Sequence, residues 1–253
     1  MKLLYRTYQL LIVFPILLVA TFLFSLLTIM GSLLGFAHFW GYWPFHILSR
    51  LFCYMLLLPV HVEGHENLDK KSSYVFVSNH QGAFDIFLIY GFLGRNFKWM
   101  MKKSLRKVPM VGKACESAHH IFVDKSGPKA IQRTYDEARK ILKGGTSVVV
   151  FPEGARTFTG HMGIFRRGAF QLADELQLPV VPITIDGPFD VYPRTKKGLT
   201  FVEWHPLTMK IHQAIPPKGK GIEFEKETLQ QAYDVIMSGL PADRQGFVQN
   251  DDQ

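Results

Sequence analysis

Residues 10–36 carry no charged side chain and are mostly apolar, a run longer than the ~20 residues a helix needs to cross the hydrocarbon of a bilayer. Lys2 and Arg6 precede it, which favours a cytoplasmic N-terminus by the positive-inside rule. A cleaved signal peptide fits poorly: the apolar run is too long, no small-residue cleavage site follows it, and a second apolar segment comes soon after. That second segment, residues 43–60, carries Arg50 near its middle, where a spanning helix would incur about 2.5–3.5 kcal/mol. On a helical wheel His46, Ser49, Arg50 and Cys53 form a narrow polar stripe. A re-entrant or interfacial helix therefore competes with a full second span. The aromatic, uncharged link at residues 38–44 suits an interfacial anchor.

Beyond residue 62 the pattern changes to short apolar runs alternating with helical periodicity. Tyr74-Val75-Phe76-Val77-Ser78 and Ser147-Val148-Val149-Val150-Phe151 read as buried strands. Residues 120–124 and 180–186 read the same way. Residues 84–93 form a helix after the Gln81-Gly82 turn. A second helix starts at Ser126 and Pro128 and stops at Gly144-Gly145; Ile131, Tyr135, Ala138, Ile141 and Leu142 mark its core stripe. Residues 200–215 suggest short strands, and residues 225–239 a closing helix. The expected fold class is α/β, with a mainly parallel sheet covered by helices and preceded by an N-terminal membrane-embedded helical segment. The expected organisation is a membrane anchor of two apolar helical segments over 1–62, a cytoplasmic domain over 63–240 and a polar tail over 241–253.

Two segments carry candidate chemistry, each directly after a strand. The first is Asn79-His80-Gln81-Gly82-Ala83-Phe84-Asp85. On one continuous helix, positions five apart sit roughly 140° apart, so His80 and Asp85 could not meet there. A strand-to-helix turn places His80 at the strand end and Asp85 in the first helical turn, where the carboxylate can orient the imidazole as in a Ser-His-Asp triad. The chain contains no Gly-x-Ser-x-Gly elbow, so the hydroxyl that His80 deprotonates belongs to an acceptor substrate, and the transfer is direct. The second segment is Phe151-Pro152-Glu153-Gly154-Ala155-Arg156-Thr157. Pro152 ends the strand, Gly154 lets the backbone approach a ligand, and Arg156 offers a planar fork for phosphate oxygens. Glu153 is expected to accept from a substrate hydroxyl or to fix Arg156.

Together these segments resemble the glycerolipid acyltransferases, specifically the 1-acylglycerol-3-phosphate (lysophosphatidate) acyltransferases, with their His-x4-Asp and FPEG-type motifs. His120-Ile121-Phe122-Val123-Asp124-Lys125 resembles the family's second block, which usually ends in Asp-Arg; here Lys125 keeps the charge and loses the bidentate fork. Residues 178–185 resemble the fourth, Pro-containing block, and residues 102–112 also look like the family, so the resemblance covers about residues 65–190. It implies transfer of a fatty acyl group from a thioester, acyl-CoA or acyl-carrier protein, to the free hydroxyl of lysophosphatidate, giving phosphatidate. It also implies His80 as base, Asp85 as its orienter, Lys125 and Arg156 on the phosphate, and Glu153 and Gly154 shaping the acceptor pocket. No metal or redox cofactor is implied. Another lysolipid or an amino-acid-derived lipid as acceptor, and a membrane-anchored lipid-binding module without catalysis, are the rival readings.

Charge narrows the partners. The formal net charge is +8 and the pI is near 9.4, which favours anionic partners; no RNA-binding, zinc-knuckle or helix-turn-helix signature supports nucleic acid. The run from Lys98 to Val108 mixes cations with large apolar groups. It suits either an anionic membrane surface or a solvated basic face around a substrate entrance. Donor thioesters in the cytoplasm require the catalytic domain on that side of the membrane, hence two membrane segments. The two cysteines, Cys53 and Cys115, imply no disulfide framework.

Overall fold

The strands are short and rich in β-branched residues, and side chains alternate between two faces along each of them. In the central strand Phe76 joins one hydrophobic cluster while Val75 and Val77 join the other. Both faces must therefore be covered, which is the condition for a parallel sheet. The structure is a computed structural model; it describes residues 1–248 except Lys70, Lys125, Gly144, Gly145 and 196–199. Seven strands form one sheet: β1 Val60–Glu63, β2 Val75–Ser78, β3 Phe97–Lys102, β4 Ile121–Val123, β5 Ser147–Val150, β6 Val180–Asp186 and β7 Leu207–Ile211. Their spatial order is β1-β7-β6-β2-β5-β3-β4. The five strands from β6 to β4 run parallel, β7 is antiparallel to β6, and β1 is parallel to β7. The α/β class with a mainly parallel sheet covered by helices is thus what the chain adopts.

Among the described residues the helices sort onto the two faces. Helix α1, Lys2–Trp40, is long and apolar enough to cross a membrane. It contains π turns at Gln9–Val13 and Ser32–Phe36, and it kinks at Gly35, where φ is +91°. Helices α2 (Trp43–Met55), α3 (Phe84–Phe92) and α4 (Val111–Ser117) follow; α2 packs on α3, and α1 packs on both α2 and α4. Helices α5 (Pro128–Lys143), α6 (Gly168–Leu176) and α7 (Ile222–Gly239) cover the opposite face. The end of α5, expected at Gly144-Gly145, lies outside the described residues.

The N-terminal helices are tied to the sheet domain rather than projecting from it. Tyr42, Cys53, Leu56 and Leu58 are buried in the same cluster as Phe76, Leu88 and Ile183. Buried Gln9 makes a two-way bond with the Val202 backbone, donating to its carbonyl at 2.8 Å and accepting from its N–H at 2.9 Å. The polar stripe of α2 faces protein: His46, Ser49 and Cys53 are buried, and Arg50 Nε donates to the Gly91 carbonyl at 2.7 Å. The outward face of α1 stays apolar and exposed, with Leu18, Leu33 and Leu34 each more than 70 % accessible.

Several local expectations are revised. The run from Lys98 to Val108 divides: Lys98 and Trp99 lie inside the core on β3, and only residues 102–109, from the end of β3 through a 3-10 turn at Lys103–Lys107, form an exposed basic stretch. Strands β1 and β3 were not anticipated, and residues 200–215 give one named strand, β7, whose buried and exposed positions alternate. At the start of the tail, Arg244 bonds Asp190 at 2.7 Å and lies over the Phe189 ring.

Candidate active site

The connection after β2 leads to α3 on one face of the sheet, and the connection after the adjacent β5 leads to α6 on the other. Where neighbouring parallel strands send their chains to opposite faces, a crevice opens beyond their carboxyl ends, and ligands of open α/β sheets bind there. Both sequence motifs flank this crevice. His80 follows β2, and the segment from Phe151 to Thr157 follows β5.

His80 and Asp85 meet. His80 Nδ1 lies 2.6 Å from Asp85 Oδ2, and Gly82 N–H donates to both Asp85 oxygens at 3.1 Å. Asp85 is fully buried in the first turn of α3 while the imidazole keeps 15 % exposure. Burial pushes the Asp85 carboxyl up, and the His80 ring and Gly82 N–H pull it back. With Nδ1 bonded to the carboxylate, Nε2 is the nitrogen left to take a proton. A glycine is required at position 82, since an added Cβ would sit 2.2 Å from the Pro188 carbonyl oxygen.

The second motif locks this geometry. Glu153 Oε1 accepts from His80 N–H at 2.6 Å and Oε2 accepts from Gly163 N–H at 2.8 Å. Thr157 N–H donates to the His80 carbonyl at 2.9 Å. The Phe151 ring stacks on the imidazole, with centroids 3.9 Å apart and planes within 6°. Glu153 does not fix Arg156 among the described residues; each of its oxygens holds a backbone N–H group. Burial pushes its carboxyl up to about 8, while those two N–H donors pull it down. Gly154 adopts φ +75°, a left-handed conformation natural to glycine, and its backbone passes under the Arg166 guanidinium. Arg156 is partly exposed, and its side chain has no hydrogen-bond or ion-pair partner among the described residues. Asn79 bonds both backbone groups of Ile185 at 2.8 Å, tying β2 to β6.

The second family block lies two strands beyond β5, on β4 at the sheet edge. His120 is buried, with Nδ1 accepting from Trp99 N–H at 3.1 Å. Lys103 donates to Asp124 at 2.6 Å; Lys103 and Ser126 together hold that carboxyl down at about 2. Lys125 lies outside the described residues. Sequence reasoning missed Phe151 as a partner of the imidazole ring and Gly163 as a partner of Glu153. The first had a signal in the aromatic residue that ends a buried strand. The second had none, because it depends on a loop closing over ten residues.

Known proteins resemble this chain in sequence and in fold. A family model described as Acyltransferase matches residues 59–186, a span that contains both motifs. A 1-acyl-sn-glycerol-3-phosphate acyltransferase of Limnanthes alba is 28 % identical over 198 residues, covering 78 % of this chain and 69 % of the plant protein. The corresponding protein of Saccharomyces cerevisiae is 32 % identical over 161 residues, covering 62 % of this chain and 53 % of the yeast protein. Among solved structures, the 1-acyl-sn-glycerophosphate (LPA) acyltransferase PlsC of Thermotoga maritima superposes with a TM-score of 0.68 at 27 % identity, covering 88 % of this chain and 93 % of that one. The family model spans half of the chain and contains both the His80–Asp85 turn and the Glu153 segment, so the chain belongs to the acyltransferase family.

Proposed function

We propose that this chain is a 1-acylglycerol-3-phosphate O-acyltransferase that moves a fatty acyl group from acyl-CoA or acyl-carrier protein to the free hydroxyl of lysophosphatidate, giving phosphatidate. The observation that carries the reading is the His80–Asp85 pair, 2.6 Å apart, beside the segment of Arg156, whose side chain has no partner among the described residues. His80 Nε2 takes the acceptor's hydroxyl proton as the oxygen attacks the thioester carbonyl. Asp85 stabilises the imidazolium that forms. Collapse of the tetrahedral intermediate expels the thiolate, which recovers the proton from His80. Arg156, with Lys125, binds the acceptor's phosphate; Gly154 gives room for it, and Glu153 holds His80 and the loop in register.

Residues 1–62 serve as the anchor of a catalytic domain over 63–240, with a polar tail over 241–253. Helix α1 lies against α2 and α4 and is fastened at its start to Val202, so its exposed apolar face points away from the domain along its length. That arrangement supports a helix embedded in one leaflet of an anionic phospholipid membrane, with the domain on the cytoplasmic side where thioester donors are found. The exposed stretch 102–109 adds salt-sensitive attraction to anionic headgroups.

The test is transfer by purified protein in detergent, with both thioester donors against a panel of lysolipids. Lysophosphatidate as the preferred acceptor supports the reading. Preference for a lysolipid without a phosphomonoester, or for an amino-acid-derived lipid, would replace it.

A further inference from the structure

A third loop reaches the crevice. The chain leaving β6 passes through a single helical turn, Pro188–Val191, and then runs beside the dyad. Pro193 forms an antiparallel bridge with Gly82, and Ala83 N–H donates to the Tyr192 carbonyl at 3.4 Å. The next residue, Arg194, crosses to the second motif. Its Nη1 donates to the Arg156 carbonyl at 3.1 Å, and its guanidinium lies 4.0 Å above the Phe158 ring. Arg194 thus touches the Arg156–Phe158 segment while its own backbone abuts the turn that orients His80.

These contacts fix the plane of the guanidinium and use one of its five N–H donors. The nearby carboxylates are engaged elsewhere. Glu153 holds His80 and Gly163, Asp85 holds His80 and Gly82, Asp190 pairs with Arg244, and Asp186 accepts from Gln81 at 3.4 Å. Neither Arg156 nor Arg194 has an ion-pair partner among the described residues. Arg194 is held against the backbone of the segment that carries Arg156, and a phosphate can accept from two arginine forks at once. We propose that Arg194 is a second phosphate-binding arginine, which selects acceptors bearing a phosphomonoester. The inference deepens the proposed function and takes the acceptor's identity from it.

Kinetics of the full chain in detergent, together with calorimetric binding of sn-glycerol 3-phosphate, separate charge from support. Loss of a charge-assisted contact worth about 1.5–3 kcal/mol corresponds to ~10–100-fold in affinity. Arg194→Gln can still donate to the Arg156 carbonyl but carries no charge; Arg194→Lys keeps the charge and loses the fork. Under the inference Arg194→Gln raises the KM for lysophosphatidate and weakens sn-glycerol 3-phosphate by that factor, leaving the KM for the acyl donor unchanged. Arg194→Lys recovers most of the lost affinity. A Gln variant with near-normal acceptor KM, a loss confined to kcat, or no binding of sn-glycerol 3-phosphate by the unmodified protein overturns the inference. Charge-dependent binding of sn-glycerol 3-phosphate without any acylation of lysophosphatidate would instead bring down the proposed reaction and leave the Arg194 site standing.

Discussion

Glu153→Gln separates support of the dyad from contact with substrate. Each carboxyl oxygen of Glu153 accepts one backbone N–H, from His80 at 2.6 Å and Gly163 at 2.8 Å. A carboxyl oxygen offers a lone pair in either protonation state, whereas the amide nitrogen of glutamine offers none and brings two donors. One of the two N–H groups must lose its acceptor and face another donor. An unsatisfied buried N–H costs about 1–3 kcal/mol, so the loop from Phe151 to Gly163 and the His80 turn move apart unless the structure bears that cost. A displacement of the base by ~1 Å can cost up to ~10²-fold in rate. The Thr157 bond to the His80 carbonyl and the Phe151 stack survive the substitution, so the expected fall in kcat is about 10- to 100-fold. Steady-state kinetics with acceptor and donor varied in turn give the readout: kcat falls, and the acceptor KM changes by less than ~3-fold. A raised acceptor KM with kcat intact would show that Glu153 binds substrate and would refute its role as a lock.

Other outcomes follow from the same contacts. Asp85→Asn should lower kcat severely while the protein stays folded, because an amide keeps the shape yet cannot stabilise the imidazolium; near-normal turnover of the folded variant would remove Asp85 from the mechanism. Lys98 is 5 % exposed, its ammonium has no hydrogen-bond partner among the described residues, and burial pulls it down to about 8 from an ordinary 10.5. The unfolded chain then binds more protons between pH 8 and 10.5, so stability rises with pH across that window. Lys98→Met should stabilise the protein at pH 7 by up to about 3 kcal/mol, a gain that vanishes above pH ~10.5; denaturant unfolding at pH 7 and pH 10.5 tests both values, and a destabilised variant at pH 7 contradicts the burial argument. Gly82→Ala should cost activity and stability together, since its Cβ would meet backbone rather than a yielding side chain; an active, stable Ala variant would show that the turn can shift.

The dyad was legible because it is local. Five residues across one strand-to-helix turn set its geometry, and Phe76 and its neighbours announce the strand by their unbroken apolar character. β5 and β6 were legible for the same reason, as strands buried on both faces. β3 was hidden by Lys98, a lysine placed where the pattern demands an apolar residue. β1 was hidden because its alternation lasts only four residues and directly follows an apolar helix. The helical pattern of α2 was visible, but its polar stripe could not reveal that it faces α3 rather than water or lipid; that depends on Arg50 reaching Gly91. Glu153 and Arg194 were harder still. Their partners lie 73 and 38 residues away, and only the register of β2 beside β5 and β6 brings them together.

The most direct test of the central claim is one turnover of labelled acyl-CoA or acyl-carrier protein on lysophosphatidate by the unmodified chain and by His80→Ala, with lipid product and protein mass followed together. The expected result is phosphatidate from the unmodified chain without any acylated protein, and a rate lower by at least ~10²-fold in the folded His80→Ala variant. Near-equal rates in the two proteins, or an acyl group found covalently on the chain before phosphatidate appears, would contradict direct transfer by a His80 base.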